Sequence, residues 1–510
     1  MKFYLLYPFL TAIFPAVFLC AKNVHETKLI NLFIASVLAF FLSSLFYYSS
    51  FLINKDFHKA ALCAFLAIMI FYKSGHYYKK LVNKKLREII FIRILYSFLT
   101  LFFIYQIFLL SLKISFNLEL LSNIIFYFYA FVILIPIAKI IGFYAKNKDQ
   151  KVKIDKRSAV DVLDKNLPDV YYIVVDGYAG INTLKDICGF DNSEFYSHLK
   201  KEGFCVSDKT KSNYTITNLS VCSTLNMNYI QDFFDSSTIS SDQGGIHKLY
   251  KFHLDNEVSR MFKSYGYTYV HLINHWEQMY FNEDEFADIS IKSSQSTDYL
   301  KIFLQKTLIG IYQDILFSAV SRKNMKFLFE KLKNIHSIKG PKFVFSHLIC
   351  PHEPYLFNEN GDKPKMKNED PANKENIPLY VEQIKYVNKI LTETISNILK
   401  NSKNSIIVIK ADHGSEFLMN VESSKSKDGA VIWPKDPSPE MLQERFEIFN
   451  AIYLPDNDVE VFDKFQSSVN IFRFIFNKYF STNYEILPER QYYSNYVDHF
   501  IFRDVTDKLN

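Results

Sequence analysis

The chain has 510 residues, of which 49% are hydrophobic, 17% aromatic and 22% charged, and its formal net charge is +6. That much apolar material excludes global disorder, and 14 Gly with 15 Pro exclude collagen-like and Gly/Pro-rich classes. The length fits roughly two to four domains of about 150 residues each, and the mean hydropathy of −0.02 averages two unlike halves.

Residues 1–145 hold only four acidic residues, Glu26, Asp56, Glu88 and Glu119. Phe3 to Ala21, Leu29 to Ile53 and Ala60 to Tyr72 carry no charge; Ile89 to Leu112 is interrupted only by Arg93, and Leu120 to Ala145 only by Lys139. A helix needs about 20 apolar residues to cross a bilayer. Four runs meet that length, and the Ala60 run meets it if His58 and Lys59 snorkel. The expectation is a transmembrane domain over 1–145 with five helices at 3–21, 29–53, 57–73, 88–112 and 119–145; four helices is the alternative. The first run is too long, and lacks a small-residue cleavage site after a basic start, to read as a removable signal peptide.

Basic residues gather on the cytoplasmic side of membrane proteins. Lys73, Lys79, Lys80, Lys84, Lys85 and Arg87 form one such cluster, and Lys146, Lys148, Lys151, Lys153, Lys156 and Arg157 form another after the last span. Two helices separate the clusters, so both lie on one side, and the rule by itself places the C-terminal domain in the cytoplasm. Residues 146–167 read as a basic juxtamembrane linker, either held against anionic headgroups or simply solvated.

From Pro168 the texture is that of a soluble α/β domain over 168–510, with short β-branched and aromatic runs alternating with amphipathic stretches. Strands are expected at Val170–Val175, Tyr267–Ile273, Lys342–His347, Ser405–Lys410 and Phe449–Leu454. Their near-continuous apolar character fits strands covered on both faces. Helices are expected at Asn192–Glu202, Thr217–Asn226, Asn256–Tyr265, Leu379–Asn401 and Ser467–Tyr479. Asn358–Asn376 and Ser423–Pro439 read as surface loops.

Ligands of open α/β sheets bind beyond the carboxyl ends of the strands. Three of the expected strands end in metal-competent residues: Asp176, His347, and the pair Asp412-His413. A single Asp after a strand is commonly a turn residue, whereas an Asp-His pair needs something to compensate its burial. Carboxylate oxygen together with imidazole nitrogen suits zinc or manganese. The segment Ser212–Asn226 is a hydroxyl-rich turn running into a helix headed by Thr217. A hydroxyl there is either a plain N-cap, the commoner case, or a nucleophile, and a helix N-terminus favours a phosphate group.

Asp176-Gly177 after a strand, the Thr-headed helix, Pro351-His-Glu-Pro354 and Asp412-His-Gly414 stand in an order that resembles the alkaline phosphatase and sulfatase superfamily. The resemblance is to its membrane-anchored branch, which includes lipoteichoic acid synthases and lipid A phosphoethanolamine transferases, and it covers roughly residues 168–460. It implies an N-terminal α-helical transmembrane bundle plus an α/β alkaline-phosphatase-like, sulfatase-like sandwich domain with a central, mostly parallel sheet. It also implies metal ligands Asp176, Thr217, Asp412 and His413, with Thr217 the nucleophile and Thr215 the runner-up. His352 then serves as proton donor or phosphate contact. His347 and Asn218 fall beside the substrate, His347 as a second-metal ligand or as support for the first. One divalent ion, zinc or manganese, is implied.

A formylglycine sulfatase needs Cys or Ser followed by x-Pro-x-Arg, and neither pattern occurs; Thr217 is followed by Asn-Leu-Ser-Val. The activity expected is therefore a metal-dependent phosphoryl or phospho-substituent transferase acting on a cell-envelope lipid or glycan. A phosphodiesterase, phosphatase or sulfatase-like hydrolase of the same fold is the alternative, and a catalytically inactive membrane scaffold is the reading from another class. Membrane lipids and a lipid-linked or glycan substrate are the expected partners; oligomeric state is left open. The family's habit places the catalytic domain outside a bacterial cytoplasmic (inner) membrane, against the basic flanks. Charge excludes nucleic acid as a main partner: residues 1–145 carry 14 basic residues against the four acidic ones, which leaves the remainder at about −4. His271 and His275 read as core or surface histidines, and Arg445 as a surface ion pair. Cys188, Cys205, Cys222 and Cys350 form no Cys-x-x-Cys motif. Cys188 and Cys205 pair only in an extracytoplasmic domain, and free thiols fit equally.

Overall fold

A computed structural model describes residues 3–24, 27, 29–82, 86–87, 89–147, 167–233, 249–274, 284–293, 298–365, 373–402, 404–425, 431–456, 467–496 and 498–509. Nearly all of the expected linker, and His275, fall outside them. The chain forms two compact units. One comprises Met1–Asp155, Gln278–Phe281 and Gln295–Val320; the other comprises Lys156–Glu277, Asn282–Ser294 and Ser321–Asn510.

The first unit is a bundle of α1 (Tyr7–Lys22), α2 (Leu29–Asn54), α3 (Phe57–Leu81), α4 (Ile90–Leu110) and α5 (Glu119–Asn147). α2, α3, α4 with its 3-10 extension to Lys113, and α5 are long and apolar enough to cross a membrane; α1 is shorter. Small residues explain the close packing. Ala12 and Ala16 of α1, Ala35 and Ala39 of α2, and Ala60, Ala64 and Ala67 of α3 are all buried, and small side chains let helix backbones approach. Large apolar side chains such as Phe41, Phe91, Phe98 and Phe131 point outward. α3 begins where Asp56 accepts hydrogen bonds from the His58 and Lys59 amides, at 2.8 and 3.0 Å. It runs eight residues beyond the expected end at Tyr/Lys 72–73, into the basic cluster.

The second unit is built on a seven-stranded sheet. In chain order the strands are β1 (Asp169–Val175), β2 (Cys205–Ser207), β3 (Thr268–Ile273), β4 (Ile289–Lys292), β5 (Lys342–Leu348) and β6 (Ser405–Lys410). They continue with β7 (Ser424–Lys425), β8 (Val431–Ile432), β9 (Asn450–Tyr453), β10 (Tyr492–Tyr493) and β11 (Arg503–Asp504). The main sheet runs β2-β9-β6-β1-β5-β3-β4, while β7 with β8 and β10 with β11 form two small ribbons. β6, β1, β5, β3 and β4 pair in parallel, and β9 is antiparallel to β6. β7 and β8 lie within the stretch expected to be a loop.

Both sheet faces are covered, as parallel strands require. Tyr171, Ile173 and Val175 face Ile384, Val387 and Leu391 of helix Ile377–Asn401. Val170, Tyr172 and Val174 face Val221, Phe262 and Phe472 on the other side. The register matters most for function. Val174 lies opposite His347 on one side and Lys410 on the other, so the residues that follow β1 and β6 emerge level with the end of β5.

Phe262 stacks on Phe343 with ring centroids 4.5 Å apart and is fully buried. Phe262→Ala is expected to cost about 3–5 kcal/mol, read as a lowered thermal midpoint for the catalytic unit.

Candidate metal centre and nucleophile

Asp176 follows β1, His347 is the next-to-last residue of β5, and Asp412 and His413 lie just past β6. The register therefore delivers three strand ends to one place. α6 (Ile181–Asp186), α7 (Ser193–Lys201) and α8 (Thr217–Asn226) come next in the chain. α8 carries Thr217 to the cluster, and its Ser220 hydroxyl donates to the Asp412 carbonyl at 2.7 Å. Thr217 is the first helical residue; Ile216 occupies the cap position and no side chain caps the helix. The Thr217 hydroxyl is thus not used as an N-cap. It lies 3.0 Å from His413 Nε2.

Thr215 is different. Its hydroxyl donates to the Ser494 carbonyl at 2.7 Å and accepts from the Ser494 amide at 3.2 Å, and the side chain is fully buried. The structure brings Thr217 to the strand ends and turns Thr215 toward Ser494. Asn218 accepts from the Tyr250 hydroxyl at 3.2 Å.

Two sets of ligand atoms converge within 4.8 Å: Asp176, His352 and His413, and Asp176, His347 and Asp412. His347 Nε2 donates to Asp176 Oδ2 at 3.2 Å, and the Gly177 amide donates to Asp412 Oδ1 at 3.1 Å. The second oxygens, Asp176 Oδ1 and Asp412 Oδ2, are buried without a hydrogen-bond partner among the described residues. His413 Nδ1 faces the Gly414 carbonyl at 3.0 Å, an acceptor only, so Nδ1 carries the proton. Nε2 then presents a lone pair 3.5 Å from Asp176 Oδ1 and 3.3 Å from Asp412 Oδ2. Asp176 Oδ1, Asp412 Oδ2 and His413 Nε2 converge as acceptors beside the Thr217 hydroxyl, and this is an arrangement a divalent cation satisfies.

The ionisation pattern agrees. Burial raises Asp412 to about 6, with the Asp176 charge adding to it. Burial pushes Asp176 upward as well, but His352, His347 and His413 outweigh it and leave its carboxyl well below the usual range. Two adjacent carboxylates pushed apart in this way compete for one compensating charge. Burial, then Arg445, holds His413 far below its ordinary value, hence neutral and able to ligate. Burial lowers His352, but Asp176 first and then Glu353 and Glu416 raise it to about 9, which favours its imidazolium form. Its Nδ1 donates to the Glu353 carbonyl at 2.7 Å. Gly177 has φ +67°, and a Cβ there would stand 3.1 Å from the His352 ring, so only glycine lets Asp176 and His352 share this corner.

A small open cleft adjoins the cluster, lined in part by His352, Glu353, Tyr355, Glu416 and Arg445. The sequence reading missed the Glu and Tyr residues, although Glu353 and Glu416 lie within three residues of motif histidines. It also misplaced Arg445, which is fully buried rather than on the surface. Its guanidinium donates to the Thr215 and Gly414 carbonyls at 2.8 and 3.0 Å, pairs with Glu416 at 3.2 Å and stacks over Trp433 at 4.8 Å. Next to it, Glu444 accepts from the Ser415 hydroxyl and the Phe417 and Leu418 amides, each at 2.7 Å. His271 is a core histidine, 2.9 Å from Asp284. No disulfide joins the six cysteines among the described residues, Cys188 and Cys205 included.

Fold and site define a metal-competent α/β enzyme unit joined to an apolar helical bundle. The sulfatase family model matches residues 189–477, more than half of the chain, and the chain belongs to the sulfatase family. The match spans Thr217, His347, His352, Asp412 and His413; Asp176 lies just before it. No curated protein matches the chain in sequence. Similar solved structures include the C-terminal periplasmic domain of EptC from Escherichia coli in complex with zinc, at 12% identity and TM-score 0.43, covering 68% of this chain and 96% of that one. Another is the integral membrane lipooligosaccharide phosphoethanolamine transferase A of Neisseria meningitidis, at 12% identity and TM-score 0.40, covering 93% and 95%. A third is a putative sulfatase from Bacteroides fragilis, at 13% and 0.38, covering 66% and 83%.

Arg445 NH1 and His413 Nδ1 share the Gly414 carbonyl. Arg445→Met is expected to lower stability by about 3–5 kcal/mol and zinc affinity by about 10–100-fold, measured by thermal denaturation and by competition with a fluorescent chelator.

Proposed function

We propose that the chain is an integral membrane, metal-dependent transferase that moves a phosphoryl or phospho-substituent group to a cell-envelope lipid or glycan through Thr217. The observation that carries this is the Thr217 hydroxyl at the head of α8, 3.0 Å from His413 Nε2 and beside two carboxylates with unpartnered oxygens. Asp176, Asp412, His413 and Thr217 would hold one divalent ion, with His347 fixing the far oxygen of Asp176. Zinc or manganese, when bound, lowers the pKa of the threonine hydroxyl and neutralises phosphate charge. The free amides of the first turn of α8 favour a phosphoryl oxygen. Thr217 Oγ1, its proton given up to solvent, forms a bond to the donor phosphorus as the bond to the leaving oxygen breaks, and His352 supplies a proton to that oxygen. An acceptor hydroxyl, giving its proton to the now neutral His352, then attacks the phosphothreonine ester, and the bond from phosphorus to Thr217 Oγ1 breaks. A threonine at this position does not support the formylglycine route to sulfate esters.

Thr217→Ala is expected to cut phosphodiester turnover by about 10³-fold or more while bound metal, measured by atomic emission, stays largely in place. Retained turnover overturns the assignment. Dialysis against a strong chelator should abolish turnover, and added zinc or manganese should restore it in the wild type and not in the Thr217→Ala protein.

We further propose that residues 1–145 are the membrane domain and that the catalytic unit faces away from the cytoplasm. Fusions at residue 160 test this. An alkaline phosphatase fusion should be active and a reporter that fluoresces only in the cytoplasm should stay dark; the reverse pattern puts the enzyme inside.

A further inference from the structure

Residues 295–320 lie between two catalytic-unit segments in sequence, and were expected to belong to that domain, yet they cluster with the helices. The segment holds a short helix, Asp298–Leu304, and a 3-10 turn, Ile309–Tyr312. Tyr299, Phe303, Leu308 and Ile311 are buried in the helical core. The Tyr299 hydroxyl donates to the Ala16 carbonyl of α1 at 2.6 Å, and the Tyr312 hydroxyl meets Ser97 Oγ of α4 at 3.0 Å. The Phe303 ring meets Tyr72 edge-on at 5.9 Å.

The attachment to α3 goes through backbone. The Gly75 amide donates to the Lys306 carbonyl at 2.9 Å, and the Phe71 carbonyl accepts from the Leu308 amide at 3.0 Å. Phe71 and Gly75 are four residues apart, the pair that closes one helical turn, so the segment engages polar groups of the α3 ladder itself. Only glycine permits this, since a Cβ on residue 75 would run into the Thr307 and Lys306 carbonyls. Within an apolar bundle such backbone bonds are hard to replace, because no water is available to satisfy the freed groups.

The other side of the segment is mixed. Ile302 and Ile309, with Leu316 just beyond, are exposed beside Gln305 and Lys306, and Lys301 is half-buried. Apolar side chains interleaved with lysines suit the boundary between headgroups and acyl chains, where a lysine buries its stem and keeps its charge in water.

We propose that residues 298–312 are a second membrane anchor: one face is locked into α1, α3 and α4, the other rests in the lipid surface, and the catalytic half of the chain is thereby attached to the bundle independently of the 148–166 linker. The test uses the full-length protein in membranes with a protease site inserted at residue 160. After cleavage and a high-salt wash, most of the C-terminal fragment should stay with the membranes. In a Gly75→Leu protein, most should be released by the same cleavage. A Tyr299→Phe/Tyr312→Phe protein keeps the rings and loses two hydrogen bonds, and should release more than the wild type; it guards against misfolding of the Gly75→Leu bundle. Release of the wild-type fragment overturns the proposal. So does equal retention by all three proteins, which places the attachment elsewhere.

Discussion

The site depends on an electrostatic conflict built into the end of a sheet. β1 and β6 run parallel in a register that makes Asp176 and Asp412 emerge side by side, and packing on both faces removes the water that would screen them. His413 adds a lone pair rather than a proton, because Gly414 fixes its tautomer. In a low-dielectric interior an uncompensated carboxylate costs several kcal/mol, so burial works against both carboxyls being ionised together. That is the physical content of the raised Asp412 and the lowered Asp176. Metal binding and the last stage of ordering this corner are therefore expected to be the same event.

The loops carrying these groups would not stay in place on strand ends alone. Helix Pro439–Phe446 supplies the restraint through adjacent charged residues. Glu444 gathers the amides after Asp412-His-Gly, and Arg445 ties the same loop to the turn before α8. Glu447, just past the helix, accepts from the Asn182 amide at 3.1 Å and the Thr183 hydroxyl at 3.0 Å, which secures the start of α6 after Asp176-Gly177. Three loops from three distant stretches of sequence are thus referenced to one short helix. Because Arg445 is wholly buried, each of its bonds is made where no water competes, which stiffens the distance from Thr217 to His413.

The central strands, and the residues that end them, were legible because β-branched and aromatic runs leave a local pattern and a polar residue at a strand end is conspicuous. The apolar spans were legible for the same local reason, apart from the end of α3, whose last two turns are amphipathic and look like a loop. What could not be read were choices made at long range. Thr215 and Thr217 are equivalent hydroxyls in sequence; the partner that distinguishes them, Ser494, lies 279 residues away. Arg445 looks like any charged residue in a Glu-Arg-Phe-Glu stretch, and nothing local signals Trp433 beneath it. The 295–320 segment bonds to α3 through backbone carbonyls and amides, which leave no compositional trace except a glycine at position 75.

His413 also stands between the two groups to which the proposed function gives different tasks. Its Nε2 is 3.0 Å from the Thr217 hydroxyl, and its ring centroid is 5.6 Å from that of His352. The environments of the two histidines push in opposite senses: Arg445 helps to keep His413 neutral, while Asp176, Glu353 and Glu416 keep His352 protonated. One ring is thus suited to ligate and the other to donate a proton, although both are buried within one corner. A bound cation would offset part of the Asp176 charge that sustains His352 and so lower its pKa. Under the proposed function that shift favours proton donation to a leaving oxygen, so a bound ion would also tune the acid.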